Sequence, residues 1–365
     1  MSAQSSQSKL LLNASRVPAV GGLHAFTASV LRCVSLTRSG AATAIVSRET
    51  EVPVGVERLT APDSITMLNA NSWPRSVWGF FYSALQSWRY RHQRVLATTH
   101  LGFPGHRHQI LTVHDVRPRL MPDSWVHTLY FRYMLPSALR RANGILTVSE
   151  ASKSAIAQTY GIAPDKIYVV PNVVRTLPQA VMPKLPQQES PYLLMVNACY
   201  PHKNVGELLE HHALWRPRYR LKILAGTGSH RDELRAQVQH LGLVEYVDFL
   251  PPVPDEELGA LYTHAAALVY PSLMEGFGLP PAEAMAYGTP VIVSDIPVFR
   301  EIFGDAPLFV QLGDAASWER AIAGIDEARQ PERVEHARSI ATQYSDERMC
   351  SALNSALRAI WPEST

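Results

Sequence analysis

The chain is predicted to be an α/β protein made of two domains with parallel sheets, and three observations predict it. Short apolar runs alternate with stretches of helical apolar spacing along most of the 365 residues, the pattern of repeated βα units. That length exceeds one ordinary core and suits about two domains. Residues 177–191 carry four prolines between two such alternations, a linker composition that sets a boundary at 176/177.

The first alternation begins with a strand at 9–13. A loop ending in Gly21-Gly22 leads to helical spacing at 23–34, and 41–46 is a second strand. A glycine pair after a strand is a tight turn first and a ligand loop only with support from elsewhere. Strands follow at 95–100 and 109–114, the latter ending in His114-Asp115. A histidine at the carboxyl end of a parallel strand stands at the edge where open α/β sheets bind ligands. A long helix at 124–142, a strand at 144–148, a helix capped by Ser149 and a strand at 166–170 complete this half.

The second half repeats the pattern. Strands at 192–196, 222–226 and 247–250 alternate with helices at 205–214 and 230–241, and a further helix runs from Pro254-Asp255 to His264. Then comes the densest stretch of the chain, Y-P-S-L-M-E-G-F-G-L-P-P-A-E-A-M-A-Y-G-T-P-V-I-V-S at 270–294. It reads as strand, glycine turn, helix, glycine stop and strand. Gly276 and Gly278 let backbone amides approach a ligand, and Pro280 and Pro281 suit the first helical turn, where no amide is needed. Glu275 and Glu283 flank the helix entrance, which is suited to phosphate while the acids suit sugar hydroxyls. A short strand at 308–311 and helices from 315 and 331 onward close the chain.

The hydrophobic fraction of 46% and charged fraction of 18% are those of a globular domain, and no apolar run is long enough for a bilayer span. Residues 1–8 form a polar tail without the pattern of a secretory leader. Cys33, Cys199 and Cys350 are scattered, without metal-ligand spacing, and are expected to be buried thiols in a reducing cytoplasm. The net charge of +2 conceals an asymmetry: residues 1–175 hold 19 basic and 8 acidic side chains, the remainder 15 and 24. A basic first half favours an anionic partner.

Residues 72–94 interleave Trp73, Trp78, Phe80, Phe81, Tyr82, Trp88 and Tyr90 with Arg75, Arg89, Arg91 and Arg94. Such a helix suits an anionic membrane surface. The plainer alternative is a helix with its rings packed inward and its arginines in water. No nucleic-acid-binding motif accompanies the basic residues, and none is expected to bind.

Taken together, E-G-F-G-L-P-P-A-E-A-M-A-Y-G-T-P-V from Glu275, V-S-E-A-S-K at 148–153, V-V-P-N-V at 169–173, P-H-K-N at 201–204, A-G-T-G at 225–228 and T-V-H-D at 112–115 resemble the retaining family 4 glycosyltransferases of GT-B fold. The resemblance covers most of the chain. It implies Rossmann-like domains at 1–176 and 177–345 with sheets facing across a cleft, and a C-terminal helix, 346–365, returning to the first. It implies that Lys203 neutralises the donor diphosphate, aided by backbone amides of Phe277, Gly278 and Leu279, with Gly276 also in the donor site, and without a metal or other cofactor. Glu275 would bind hydroxyls of the transferred sugar, Glu283 those of the ribose, and His114 would face the sugar. Asn197, Val253, Gly21 and Gly22 would line the donor. Asn197 stands where many members carry arginine, so phosphate neutralisation leans on Lys203; Val196 and Pro251 replace usual glycines.

The P-H-K-N and E-G-F-G-L-P subset resembles bacterial mannosyltransferases of polysaccharide and O-antigen synthesis. The resemblance therefore implies a GDP-mannose donor and a lipid-linked or glycan acceptor at the inner face of the cytoplasmic membrane. A UDP- or dTDP-sugar donor stays open, as do a nucleotide-sugar epimerase or phosphorylase on the same scaffold and a non-catalytic nucleotide-sugar-binding protein.

Overall fold

The computed structural model describes residues 9–18, 21–37, 42–66, 73–122, 124–176 and 190–362. The polar tail at 1–8 and nearly all of the proline-rich segment at 177–191 lie outside them. The chain divides into two compact units, Met1–Val173 with Asp346–Thr365, and Val174–Ser345.

The first unit is a seven-stranded sheet, every pairing parallel, in the order β3-β2-β1-β4-β5-β6-β7. Its strands are β1 Leu10–Ala14, β2 Ala42–Val46, β3 Val56–Thr60, β4 Arg94–Ala97, β5 Gln109–Thr112, β6 Gly144–Thr147 and β7 Ile167–Val169. The second unit is a six-stranded parallel sheet in the order β10-β9-β8-β11-β12-β13. Here β8 is Tyr192–Met195, β9 Arg220–Leu224, β10 Val247–Leu250, β11 Ala267–Tyr270, β12 Val291–Ser294 and β13 Leu308–Val310. Both sheets start in the middle, wind outward one way, then return to the first strand's other side. Strand order therefore reverses between β1 and β4 and again between β8 and β11. The loops that leave the carboxyl ends of such a strand pair diverge, which leaves a crevice for ligand.

The central strands are apolar on both faces, as layers of helix above and below require. In the second unit Leu193, Met195, Leu221, Ile223, Val269 and Ile292 share one core with Trp215 and Trp318, all of them at most 2% exposed.

Strand β3 was not expected from the sequence. Its residues V-E-R-L-T bury only Val56 fully, because it is an edge strand with one neighbour. An edge strand needs no apolar run, so it carries no apolar signal. The long helix expected at 124–142 is three consecutive pieces, Trp125–Leu129, a π-helical turn Tyr130–Met134, and Leu135–Arg141.

The cysteine reading is corrected in part. Cys33, on the helix Gly22–Thr37, is disulfide-bonded to Cys350 on the helix Asp346–Ile360, with Cα atoms 5.1 Å apart. Their separation of 317 residues hid the pairing, since spacing carries information only for local motifs. The bond fastens the last helix to the first one within the first unit. That helix also buries Met349, Leu353, Ala356 and Leu357. Cys199 is a free thiol. Alkylation under denaturing, non-reducing conditions should therefore label Cys199 alone, and Cys33→Ser should lower the melting temperature under oxidising conditions by removing a crosslink worth up to about 5 kcal/mol. Labelling of all three cysteines without reductant would contradict the pairing.

Candidate active site

The second unit brings together the residues that motif reading assigned to the donor. The loop after β11 contains Glu275 and passes through Gly276, Phe277 and Gly278 into the helix Leu279–Ala286. Gly278 has φ of 97°, in the left-handed region, and a Cβ there would lie 2.6 Å from the Phe299 ring. Glycine is thus required twice at this position, by backbone conformation and by close packing. Pro280 and Pro281 follow in the first helical turn. Proline has no N–H, so donors toward an anion at this terminus come from the backbone of Phe277, Gly278 and Leu279 rather than from the next turn.

Lys203 closes the three-residue 3₁₀ turn Pro201–Lys203 in the loop after β8. Two asparagines shape that loop: Asn197 (φ 58°) and Asn204 (φ 54°) adopt the left-handed conformation that asparagine tolerates better than most side chains. Lys203 is only 8% exposed. Its Nζ donates to Glu275 Oε1 at 2.5 Å and to the Tyr270 hydroxyl at 2.5 Å, and it lies 4.6 Å from the Tyr270 ring centroid. The backbone N–H of Leu273 donates to the His202 carbonyl at 2.8 Å, which ties the two loops to each other. The sequence assigned Lys203 to phosphate and Glu275 to sugar; the structure shows them paired with each other. Burial together with the negative charge of Glu275 pushes the Tyr270 phenol well above its ordinary value, so it stays protonated.

Glu283 sits one turn into the helix and faces Tyr262, whose hydroxyl donates to Oε2 at 3.0 Å. Burial raises its carboxyl from 4.5 to about 7; the Tyr262 hydrogen bond opposes that rise and Asp255 adds to it. The acid is held near the edge of ionisation at neutral pH. Asn197 is exposed at the carboxyl end of β8, and Val253 is half-buried in the loop between β10 and the helix Asp255–His264.

The remaining candidates belong to the first unit. His114 follows β5, and its Nε2–H donates to the Thr98 carbonyl at 3.2 Å while its ring meets Phe26 edge-on. Burial lowers it from 6.5 to about 4, against the opposing pull of that carbonyl. It is therefore neutral at pH 7, with Nδ1 as its acceptor. Gly21 (φ 94°) and Gly22 begin the helix Gly22–Thr37 beyond β1. Tyr262 and Tyr270 were missed by sequence reading. Tyr270 was visible only as the last letter of an apolar strand, and Tyr262 only as one position near the end of the helix Asp255–His264. Among the described residues no group of three or more His, Cys, Asp or Glu side chains could hold a metal ion.

The family model Glycosyltransferase Family 4 matches residues 75–176, and the family model Glycosyl transferases group 1 matches 180–343. O-antigen chain mannosyltransferase RfbU of Salmonella typhimurium is 36% identical over 300 residues, which is 81% of this chain and 83% of that one. The chain belongs to the family 4 glycosyltransferases. O-antigen chain mannosyltransferase B of Escherichia coli is 34% identical over 224 residues, 56% of this chain and 58% of that one. The fold is shared with sucrose-phosphate synthase from Thermosynechococcus elongatus (TM-score 0.75, 18% identity, 98% of this chain and 100% of that one). It is shared too with WaaG, a glycosyltransferase involved in lipopolysaccharide biosynthesis (TM-score 0.70, 16% identity, 97% and 100%). The Rossmann-like units are thus those of the GT-B fold, and the protein is a glycosyltransferase.

The raised Glu283 carboxyl has a consequence for stability. Between about pH 4.5 and 7 the unfolded chain releases this proton while the folded chain keeps it, so folding weakens as pH rises through that window. Above it the cost levels at about 3 kcal/mol, from ~1.4 kcal/mol per pH unit. Glu283→Gln should therefore melt progressively higher relative to the parent between pH 5 and pH 8. A melting difference that is constant with pH would count against the buried-acid account.

Proposed function

We propose that this glycosyltransferase moves mannose from GDP-mannose, with retention of configuration, to a lipid-linked or glycan acceptor in cell-envelope polysaccharide assembly. The observation that carries the donor half of this reading is the convergence of Lys203, Glu275, the Gly276–Leu279 backbone and Glu283 on one crevice of the second unit. Likeness to one O-antigen mannosyltransferase over four-fifths of the chain, and to a second over more than half, supports the sugar and the pathway class.

By this reading the chemistry follows from charge. Breaking the bond between the anomeric carbon and the diphosphate leaves negative charge on the leaving group. Lys203, together with backbone amides at the helix terminus, stabilises that charge as it develops. The diphosphate competes with Glu275 for Lys203, so donor binding loosens the ion pair and releases the Glu275 carboxylate to sugar hydroxyls. The acceptor hydroxyl attacks on the face the diphosphate leaves, and its proton passes to the departing phosphate oxygen. Glu275 then acts by positioning rather than as a covalent nucleophile. Neutral His114 is a hydrogen-bonding group for the sugar, not a cation. No metal ion or other cofactor takes part.

The acceptor side belongs to the first unit, and the helix Trp73–Arg89 supports a membrane location for it. Tyr82 packs against the core cluster that contains Ile65, Val95 and Phe103, but Trp78, Phe81 and Trp88 are each more than 60% exposed. Arg89 and Arg91 are exposed beside them, with the Arg91 guanidinium 5.8 Å from the Trp88 ring centroid. Aromatic rings beside arginines suit the headgroup level of an anionic membrane. No helix among the described residues is long and apolar enough to cross a membrane, so the association is peripheral in this reading.

A thermal-shift series with GDP-, UDP-, dTDP- and ADP-sugars checks the donor. GDP-mannose should raise the melting temperature, with about 2.7 kcal/mol of stabilisation at a hundredfold excess over Kd. A UDP-sugar that stabilises in its place would overturn the assignment. Lys203→Ala and Glu275→Ala should each lower transfer at least a hundredfold with the fold intact; full activity in both would remove these residues from catalysis. Replacing Arg89 and Arg91 with Glu should release the protein from vesicles rich in phosphatidylglycerol, and unchanged co-sedimentation would return those arginines to an ordinary solvated face.

A further inference from the structure

Glu283 depends on a residue that neither the motif nor the family description singles out. Tyr262 lies on the helix Asp255–His264 and is 1% exposed. It is held at three points. Its hydroxyl donates to Glu283 Oε2 at 3.0 Å, its carbonyl accepts the Thr289 hydroxyl at 2.5 Å, and its ring stacks on Tyr287 with centroids 5.7 Å apart. The phenol has one proton, and its geometry commits that proton to the carboxylate.

We infer that Tyr262 is the positioning residue for ribose recognition: it fixes the Glu283 rotamer and holds its carboxylate in the acceptor form that two ribose hydroxyls require. This rests on the nucleotide-sugar reading of the site. The physical argument is one of donors and acceptors. Vicinal ribose hydroxyls donate best to a charged carboxylate, whereas a protonated acid would present them with a competing donor. Burial drives Glu283 toward the protonated form, and the phenol opposes this by hydrogen bonding the ionised one. Burial and the charge of Glu283 also keep the Tyr262 phenol well above its ordinary value, so it remains a donor throughout the working range.

The charged and titratable groups around Glu283 come from several elements. Asp255 shares the helix of Tyr262 and raises the acid. Tyr270 on β11 is a neutral phenol, and Tyr287 beyond the end of the acid's own helix stacks on Tyr262. From the helix Pro331–Thr342, Arg338 pairs with Glu335 at 3.1 Å and donates to the Ala286 carbonyl at the far end. Tyr262 is thus the group whose hydrogen bond favours the charged form.

Calorimetric titration of GDP into the parent, Tyr262→Phe, Glu283→Gln and the double variant, from pH 6 to 8.5, tests the inference. Phenylalanine keeps the stacked ring, so folding is preserved and the hydroxyl alone is removed. Tyr262→Phe should weaken GDP binding about tenfold at pH 7, the effect of one charge-assisted hydrogen bond. The loss should shrink by pH 8.5, because the pH midpoint of binding moves upward. In the Glu283→Gln background the same substitution should change nothing further, since the effect passes through the carboxylate. Equal Kd for parent and Tyr262→Phe at every pH would overturn the role, as would a loss that is uniform with pH or persists in the Gln background. A parent that binds none of GDP, UDP, dTDP and ADP would overturn the nucleotide-sugar reading itself, and this inference with it.

Discussion

The loops at the carboxyl ends of β8 and β11 are arranged around the ion pair between Lys203 and Glu275. An ammonium and a carboxylate taken mostly out of water lose hydration, and their mutual attraction compensates only where geometry is good and further hydrogen bonds are made. Both conditions are met. The Lys203 ammonium reaches Glu275 Oε1 and the Tyr270 hydroxyl, with the Tyr270 ring beneath it. The Leu273 N–H to His202 carbonyl bond keeps the two loops in register so that the pair can form. A lysine held this way cannot be solvated freely, and its charge stays where a leaving diphosphate would need it. The same pairing orients the Glu275 carboxylate.

Why that pair stands where it does follows from topology. The loops after β8 and β11 leave adjacent parallel strands at the point where strand order reverses, so they separate and leave a crevice. Lys203 comes from the first loop, Glu275 and the glycine turn from the second. Sheet, loop and charge are thus one device. The first unit repeats the arrangement between β1 and β4, with Gly21 and Gly22 in the loop after β1.

Legibility in the sequence followed the range of the interaction responsible. The helix entrance at Gly278 could be read because its causes are local: a left-handed glycine, two prolines, and an apolar strand before them. Parallel sheets could be read because buried central strands are apolar throughout. Edge strand β3 could not, since V-E-R-L-T is mostly exposed. The Cys33–Cys350 bond joins residues 317 apart, and the Lys203–Tyr270 contact spans 67, so neither leaves a local trace. Charge pairing shows the same limit. The motif supplied Lys203 and Glu275 as separate ligands for phosphate and sugar, and only folding shows that each is the other's partner.

The two acids of the motif illustrate how one helix entrance can hold like groups in different states. Glu275 lies in the loop, where a lysine supplies the compensating charge. Glu283 lies one turn inside the helix, where burial dominates and only the Tyr262 hydroxyl opposes it. Seven residues between them suffice to change the environment from ion pair to buried acid. The separation also fits the chemistry assigned to each. An acid that must loosen from lysine when phosphate arrives is suited to a sugar whose departure is coupled to that phosphate. An acid tethered by a neutral phenol has no cationic partner to lose to a phosphate, and suits the part of the donor that stays bound to the leaving group.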